Sequence, residues 1–340
     1  MALVLGIEST AHTLGAGIVE SHAGKIKIKA NALARVPHTK KGFVPRLLAE
    51  HHSKEFRKTI EKALREAGIS LCELNAIAFS QGPGMGPALR VGFVGAKALS
   101  ELLGIPLLPV NHAIAHCEIG KWQYFFKDPL VLYVSGGNTQ ILVLDAQAKR
   151  YHVLGETLDV GVGNFLDVFA REFGLNNAIE VMRLAEKGET LLELPYTIKG
   201  MNCSFTGLLT YCARNYREKV EKKAVRLEDV CFSVQETVFA ILTEATERAL
   251  YHSQKKEVLA CGGVACNARL KEMLSTTCKE NRVKFGAASD EFNRDNGAMI
   301  ALVGAKMLEG GVRAAEFEPL QRMRPEAQDL GWMFKAKEKA

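Results

Sequence analysis

The feature that most limits the fold of this chain is a strand–turn–strand pattern that occurs twice. Residues 3–8 form an apolar run, which is followed by the polar turn Glu8-Ser9-Thr10 and a second apolar run at residues 16–20. The plan returns at residues 130–134, with a glycine-containing turn at 135–139 and a further run at 140–145. Apolar runs of this length between turn residues are typical of buried strands. The repetition predicts a duplicated β-hairpin with a phosphate-binding turn.

The length and composition are those of a globular protein with two domains. The chain has 340 residues, and domains average roughly 150 residues. A hydrophobic fraction of 47% with 24% charged residues excludes a disordered or fibrous chain. Strand and helix patterns alternate along the sequence, which predicts an α/β fold. We therefore expect two lobes joined across a cleft, where ligands usually bind.

The same alternation places the remaining elements. We predict further strands at residues 25–30, 75–80, 107–110 and 258–260. We predict helices at residues 51–67, 89–103, from 113, 164–173, 205–216, 227–252, from 267, and 296–308. The run of glycine and proline at residues 81–87 predicts a loop.

The chain has the marks of a protein that is neither secreted nor membrane-bound. No uncharged stretch reaches the roughly 18 residues of a membrane span, and the N-terminus lacks the basic segment of a signal peptide. The eight cysteines include no Cys-x-x-Cys pair, so we predict reduced core residues and not a disulfide framework or a zinc ribbon. We expect a cytoplasmic location.

Positive charge is concentrated in two segments. The net charge is +6, and residues 20–62 contain eleven Lys and Arg against four Glu. Residues 214–226 contain six basic residues against two acidic ones. Such runs are either solvated faces or a binding surface for a polyanion.

Glycine turns follow strands at two further places. Ser135, Gly136 and Gly137 open the turn after residues 130–134, and a Gly262-Gly263 pair follows residues 258–260. Glycine lets backbone N–H groups approach a phosphate closely, so the turns predict a nucleotide site. The alternative for each is a tight turn with no ligand. Neither Gly-x-Gly-x-x-Gly after the first strand nor a Walker loop is present, which disfavours Rossmann and P-loop folds.

His112 and His116 form the clearest candidate for a metal site. They are four residues apart at a helix start, so both imidazoles lie on one helix face. The metalloprotease pattern is not met, because Ala113 replaces its general-base Glu. Asp295, at a later helix start, is a candidate oxygen ligand. The alternative for Asp295 is a helix N-cap.

Asp159 and Asp167 flank a glycine-containing helix start at residues 160–164. Asp167 is a candidate for a ribose hydroxyl or a metal. The alternative is that both carboxylates complement the helix dipole.

Nine segments together resemble one family. They are Gly6-Ile-Glu-Ser-Thr-Ala-His12, Glu50-His-His52, Ser80-Gln-Gly-Pro-Gly-Met-Gly-Pro-Ala-Leu-Arg90, Asn111-His-Ala-Ile-Ala-His116, Leu132-Tyr-Val-Ser-Gly-Gly-Asn-Thr-Gln140, Gly155-Glu-Thr-Leu-Asp159, Lys199-Gly-Met-Asn-Cys-Ser-Phe-Thr-Gly207, Gly262-Gly-Val-Ala-Cys-Asn267 and Asp295-Asn-Gly-Ala-Met-Ile-Ala301. The chain resembles the tRNA N6-adenosine threonylcarbamoyltransferases over residues 3–325, in particular the archaeal and eukaryotic branch that works in the KEOPS complex. The family was formerly labelled a glycoprotease, which no motif here supports.

The resemblance implies a fold and a division into lobes. The family has the two-lobed actin-like/sugar-kinase (ASKHA) ATPase fold, with a hairpin in each lobe. We expect an N-terminal lobe of residues 1–125 plus about 300–325, a C-terminal lobe of residues 126–299, and a basic tail at residues 326–340.

The resemblance also implies the site residues. The metal ligands map onto His112, His116, Tyr133 and Asp295, a nitrogen and oxygen set that suits iron or zinc. The positions that bind substrate or nucleotide map onto Tyr133, Val134, Ser135, Gly136, Gly137, Asp167 and Asn267. No catalytic side chain is singled out.

The implied activity is the transfer of a threonylcarbamoyl group from threonylcarbamoyl-AMP to N6 of the adenosine adjacent to the anticodon of tRNA. The cofactors are one divalent metal ion, iron or zinc, and an adenine nucleotide. The partners are tRNA and other KEOPS subunits, including a small kinase-like ATPase. The location is cytoplasmic, and also nuclear in a eukaryote.

One segment departs from the family pattern. The family has a Phe-Pro-Gly-Gly-Pro turn that is followed by a Glu that binds nucleotide. This chain has residues 176–184 there, a segment that is about two residues shorter, and Met182 stands at the position of that Glu. Glu180 is the candidate that would bind the ribose in place of that Glu. The departure leaves a second hypothesis open, a nucleotide- and tRNA-binding scaffold subunit with impaired ribose recognition. A third, a small-molecule kinase of the same fold, is disfavoured by the histidine pair.

Overall fold

The computed structural model describes residues 1–36, 44–312 and 317–335. Two compact units divide the chain: Met1–Gln123 with Asp145–His152 and Arg294–Ala340, and Tyr124–Leu144 with Val153–Asn293. The boundaries of the predicted lobes stay a prediction. Lys40 and Lys41 of the first basic segment and residues 336–340 of the predicted tail lie outside the described residues.

The strands of the described residues are β1 (Ala2–Glu8), β2 (Thr13–His22), β3 (Lys25–Arg35), β4 (Ala76–Gly82), β5 (Leu107–Asn111), β6 (Leu130–Val134), β7 (Thr139–Asp145), β8 (Arg150–Glu156), β9 (Ile198–Lys199), β10 (Asn202–Cys203), β11 (Glu257–Cys261) and β12 (Lys284–Ala287). The helices are α1 (Pro45–Ala67), α2 (Gly86–Leu103), α3 (His112–Tyr124), α4 (Val162–Glu172), α5 (Ala178–Ala185), α6 (Thr206–Glu221), α7 (Leu227–Ser253), α8 (Ala268–Glu280), α9 (Asp290–Asn293), α10 (Gly297–Glu309) and α11 (Trp332–Lys335). None of these helices is long and apolar enough to cross a membrane.

Two five-stranded sheets share one plan. The first has the order β3-β2-β1-β4-β5, and the second has the order β8-β7-β6-β11-β12. In each, the first hairpin is antiparallel, a later strand pairs in parallel with its leading strand, and the last strand pairs in parallel with that later strand. The duplicated hairpin that the sequence predicts is therefore confirmed, and the duplication extends to whole sheets.

The two faces of β1 pack against different helices. Leu3, Leu5 and Ile7 lie in the core cluster that α1 and α2 cover. Val4 and Gly6 lie on the opposite face, under α10. This alternation has the period of two that a strand imposes, and it places the next residue of that face, Glu8, beside the start of α10.

Helix α10 approaches β1 and β2 at backbone contact distance. A Cβ added at Gly6 would lie 2.1 Å from the Ala301 nitrogen, and one added at Gly17 would lie 2.1 Å from the Ala298 nitrogen. Real side chains do not reach such distances, so only glycine permits this approach. Gly297 of the helix meets Gly17 in the same way.

The second unit is built around the long helix α7. Its buried face packs with β6, β11, α4 and α8 in one apolar cluster, which includes Phe165, Phe169 and Phe239. The cluster supports the carboxyl ends of β6 and β11, and the predicted glycine turns begin at those ends.

The prediction of a loop at residues 81–87 is wrong at both ends. Strand β4 continues through Gln81 and Gly82, because Gly82 pairs with Asn111 and the Gln81 carbonyl accepts from Leu320 N at 2.7 Å. Helix α2 already begins at Gly86. Pro87 is tolerated there because N–H groups in the first turn of a helix have no acceptor within the helix, so the N–H that proline lacks is not needed.

The segment after residue 316 packs on the first unit. Asn111 N donates to Gln328 Oε1 at 3.0 Å, and Asn111 Nδ2 donates to the Arg324 carbonyl at 3.2 Å. Leu330 and Trp332 are buried, inside the segment predicted as a basic tail. We call residues 317–330 the C-terminal strap.

We expect Gly6→Ala to lower the free energy of unfolding by about 3 kcal/mol, because the added methyl group must displace the backbone of α10. Chemical denaturation followed by circular dichroism measures this loss. Gly207→Ala is the matched control: nothing lies within 4 Å of the added carbon, and alanine favours a helix. An equal loss in both variants would contradict the packing explanation.

Candidate functional site

Helix α3 holds both predicted histidine ligands in a buried position. Its first residue is His112, and His116 follows one turn later, with both side chains almost completely buried. Asn111 fixes the helix start, because its Oδ1 accepts from Ala113 N at 2.9 Å and Ile114 N at 3.3 Å. The ring centroids of the histidines are 4.7 Å apart, so the sequence-based prediction of one shared face agrees with the geometry.

Asp295 lies at the same place, at the start of α10. The N-cap of α10 is Asn296, whose Oδ1 accepts from Met299 N at 2.9 Å. The alternative that Asp295 is the N-cap is therefore wrong. Its carboxylate faces the histidines: Oδ1 lies 3.5 Å from His112 Nε2 and 3.4 Å from His116 Nε2.

These three side chains fit a metal ion. Their ligand atoms all lie within 4.8 Å of one another. Zn–N and Zn–O bonds of about 2.1 Å at tetrahedral angles require ligand atoms about 3.4 Å apart, which is close to both carboxylate distances. Two imidazoles and one carboxylate suit zinc or iron and do not separate them.

The three groups shift one another's protonation. Burial lowers the pKa of His112, but Glu8 and Asp295 outweigh it and raise the value to about 9. Burial dominates at His116 and lowers its pKa. Burial also disfavours the charge of Asp295, yet the two histidines hold its pKa well below the usual range. The carboxylate is therefore ionised at neutral pH.

A fourth ionisable residue, Glu8, touches this group and was missed from the sequence. Its side chain is fully buried, and Oε2 lies 2.9 Å from His112 Nδ1. Oε1 accepts from Thr10 N at 2.6 Å and from the Thr10 hydroxyl. An acidic residue that ends an apolar strand was the available signal.

A second buried carboxylate anchors α3. Glu118 accepts from Lys121 Nζ and Lys306 Nζ, both at 2.7 Å, and from the Tyr151 hydroxyl at 3.0 Å. Burial disfavours its charge, but the two ammonium groups hold the pKa of Glu118 far below its ordinary value. Because Lys306 belongs to α10, this ion pair joins the helix of the histidines to the helix that follows Asp295.

The predicted nucleotide turn lies in the second unit. Tyr133 and Val134 are the last two residues of β6, and both are buried. Tyr133 belongs to a different unit from the histidines. Its role as a fourth metal ligand stays a prediction. Gly136 and Gly137 are exposed. Neither amide N–H donates a hydrogen bond to another described residue. A turn that binds phosphate requires N–H groups that are available in this way.

Two further glycine-containing segments border this turn. Gly161 and Gly163 at the start of α4 approach the backbone of Gly136 and Gly137 so closely that no Cβ fits. Gly262, with φ of 97°, lies against Val134 in the same way. The parallel pairing of β6 with β11 thus brings two of the predicted turns together.

The remaining predicted residues have partners within the fold. Asn267 is the N-cap of α8, and its Nδ2 donates to Gln235 at 3.1 Å. Asp167 accepts from Ala178 N at 2.8 Å, and Glu180 accepts from both nitrogens of Asn176 at 2.8 Å. Both carboxylates support the start of α5. Their roles at a ribose stay predictions.

Asp159 also has a local role. Its carboxylate accepts from Phe205 N at 3.0 Å, Thr206 N at 2.8 Å and the Ser204 hydroxyl at 2.7 Å. Although burial disfavours its charge, these donors lower the pKa of Asp159. The carboxylate complements the N-terminus of α6, whereas the alternative interpretation placed it at the start of α4.

Comparison with known proteins identifies relatives over nearly the whole length. The sequence profile of the tRNA N6-adenosine threonylcarbamoyltransferases matches residues 27–302. A protein of that name from Thermococcus sibiricus is 47% identical over 334 residues, which cover 97% of this chain and all of the relative. One from Methanopyrus kandleri is 46% identical, with 91% and 89% covered.

A longer relative has a second activity in its name. The probable bifunctional tRNA threonylcarbamoyladenosine biosynthesis protein of Methanothermobacter thermautotrophicus is 45% identical over 97% of this chain, but only 61% of that protein is covered.

Solved structures share the architecture at low sequence identity. Full-length HypF with phosphate and nucleotide bound has a TM-score of 0.63 at 14% identity and covers 92% of this chain and 47% of HypF. Component A of the (R)-2-hydroxyglutaryl-CoA dehydratase of Acidaminococcus fermentans has a TM-score of 0.53 at 14% identity, with 90% and 98% covered. At this identity the likeness concerns the fold, which is the predicted ASKHA fold.

We expect Glu118→Gln to lower the free energy of unfolding by about 3 kcal/mol at pH 7, because two ammonium groups lose their buried counter-charge. The folded-state pKa of Glu118 lies below its ordinary value of 4.5. Its stabilising effect is therefore complete above about pH 4.5 and shrinks as the pH falls. Denaturation at pH 7 and pH 3 should show the gap between wild type and variant narrow in acid. A gap that is constant or wider in acid would contradict this.

Proposed function

The chain belongs to the tRNA N6-adenosine threonylcarbamoyltransferase family, and on this basis we propose that it transfers a threonylcarbamoyl group from threonylcarbamoyl-AMP to N6 of the adenosine adjacent to the anticodon of tRNA. Members of the family are transferases. The observation that carries the finer mechanism is the cluster of His112, His116 and Asp295. It offers a divalent metal three ligands in a buried place.

In this proposal His112 and His116 would hold the metal as neutral imidazoles, and the ionised Asp295 would supply the anionic oxygen. Tyr133 stays the predicted fourth ligand. When bound, iron or zinc would act as a Lewis acid that polarises the carbamoyl carbonyl. The three side chains need little rearrangement, because packing of α3 and α10 already holds them at ligand spacing.

The glycine turn of the second unit is the proposed phosphate cradle. The exposed N–H groups of Gly136 and Gly137 would donate hydrogen bonds to the adenylate phosphate, with Ser135 at the edge of the turn. HypF, which shares the fold, has been crystallised with phosphate and nucleotide, and this agrees with a nucleotide as cofactor here.

The reaction then needs orientation more than proton transfer. The adenine N6 would attack the carbamoyl carbon, the bond to the phosphate oxygen would break, AMP would leave, and the proton lost from N6 would pass to solvent. Holding the two reactants in line can lower the activation free energy by several kcal/mol, and hydrogen-bond donors aimed at the developing charge lower it further. We assign no general base.

The basic segments are the proposed tRNA contact. On α1 the cations are largely paired with glutamates of the same helix, as in Arg57–Glu61 and Lys62–Glu66. On the edge strand β3, Lys25 and Lys27 are exposed, and no ion pair among the described residues includes them. These two are free to bind phosphate, although lysines also guard edge strands against aggregation.

The alternative hypothesis, a scaffold subunit with impaired ribose recognition, has one observation in its favour. Asp167 and Glu180 both accept hydrogen bonds from the backbone around α5, so each already has a partner in the protein. Calorimetry with AMP separates the two hypotheses. Measurable binding supports the transferase, and its absence in a chain that still binds tRNA supports the scaffold.

We further propose that the chain works with other KEOPS subunits, including a small kinase-like ATPase. The name of the longer relative, a biosynthesis protein with two functions, supports a multi-step assembly. A reconstituted assay for the modified nucleoside, with and without the partner subunits, tests this directly.

We expect Asp295→Ala to lower metal affinity at least about 100-fold, because it removes the anionic ligand, and to abolish nucleoside modification in the reconstituted complex. Metal content and product are measured on the same preparations. Asp290→Ala is the control, since Asp290 pairs with Lys271 on the surface. Retention of metal and activity in Asp295→Ala would exclude the proposed metal role.

We expect the double variant Lys25→Ala and Lys27→Ala to weaken tRNA binding about fivefold near 100 mM salt and to reduce the slope of log affinity against log salt by about 1 to 2. The control pair is Arg57→Ala with Lys62→Ala, whose cations already have partners. Filter binding over a salt series measures both. Unchanged affinity and slope in the β3 variant would instead favour the role of these lysines in protecting the edge strand against aggregation.

A further inference from the structure

The buried carboxylate of Glu8 lies behind the metal cluster and not in it. Its Oε2 contacts His112 Nδ1 at 2.9 Å, while Nε2 of the same ring faces Asp295. The ring therefore has one nitrogen toward each carboxylate. A histidine that binds a metal through one nitrogen commonly donates its other N–H to a carboxylate, which fixes both tautomer and orientation.

The surroundings of Glu8 hold it in one orientation. Oε1 accepts from the backbone and the hydroxyl of Thr10, so only Oε2 is turned to His112. The residue is fully buried at the end of β1, on the face that α10 covers. The packing that fixes α10 thus fixes the carboxylate as well.

We propose that Glu8 is a positioning residue for the metal site: it accepts the Nδ1–H of His112 and so presents the Nε2 lone pair of that ring to the ion. This inference rests on the metal role proposed above. Glu8 itself touches neither the ion nor the substrate.

A glutamine at this position cannot satisfy both neighbours. If its amide oxygen faces His112, its NH2 group meets the backbone N–H of Thr10, which can only donate; if the amide is reversed, the NH2 group meets Nδ1–H. Either a hydrogen bond is lost, or His112 changes tautomer and Nε2 carries the proton that excludes a metal. Glu8→Gln is therefore a sharp test, since it changes hydrogen bonding and charge but not size.

The experiment measures the affinity of the full chain for zinc and cobalt by competition with a chelator, at one pH. We expect Glu8→Gln to bind either ion 10- to 100-fold more weakly than wild type. Asp229→Asn is the matched control: it changes another buried carboxylate, which accepts from Glu189 N and Thr190 N in the second unit, and we expect its affinity to stay within about threefold of wild type. Equal affinity of Glu8→Gln and wild type would overturn the proposal.

A second measurement needs no variant and decides the matter if Glu8→Gln does not fold. Nitrogen-15 NMR of the zinc-loaded wild type should show His112 with a proton on Nδ1 and the metal on Nε2. Coordination through Nδ1, or an unprotonated Nδ1, would overturn the proposal. If wild type binds neither zinc nor cobalt, the proposed metal role itself fails, and Glu8 fails with it.

Discussion

The backbone contact between α10 and the β1–β2 hairpin is the constraint on which the rest of the first unit depends. Gly6, Gly17 and Gly297 allow the helix to lie against the sheet without intervening side chains. This sets how closely the start of α10 approaches the sheet. Asp295 precedes that beginning, and Glu8 ends the strand beneath it. Two carboxylates thus reach the histidines of α3 because three positions carry no side chain.

Helix α3 would be unstable without these neighbours. Its first ten residues are buried, and among them are His112, His116, Glu118 and Lys121. Buried ionisable groups are costly unless partners compensate them. The partners come from β1 and α10, through Glu8, Asp295 and Lys306. The surroundings of the proposed metal site and the stability of a polar core helix depend on the same set of contacts, so a change that loosens α10 affects both.

Much of this could be predicted from sequence, because it depends on local patterns. The two hairpins, the spacing of His112 and His116, and the resemblance to a transferase family all follow from residues close together in the chain. What was missed depends on distant contacts. Glu8 looks like part of a turn until α3 is placed beside it, and Asp295 faces the distant histidines of α3 while its neighbour Asn296 caps the helix. Residues 81–82 extend β4 only because β5 and the C-terminal strap supply hydrogen-bond partners.

The same distance along the chain has a consequence for synthesis. Gln328, whose side chain accepts from the residue before α3, is separated from it by 217 positions. At about 5–20 residues per second, a ribosome needs roughly 10–40 s to make that interval. The histidines emerge before the carboxylate of Asp295, and the strap emerges after it. The three-ligand cluster can therefore form only once both segments have left the ribosome, and an ion captured sooner would lack the anionic oxygen of Asp295.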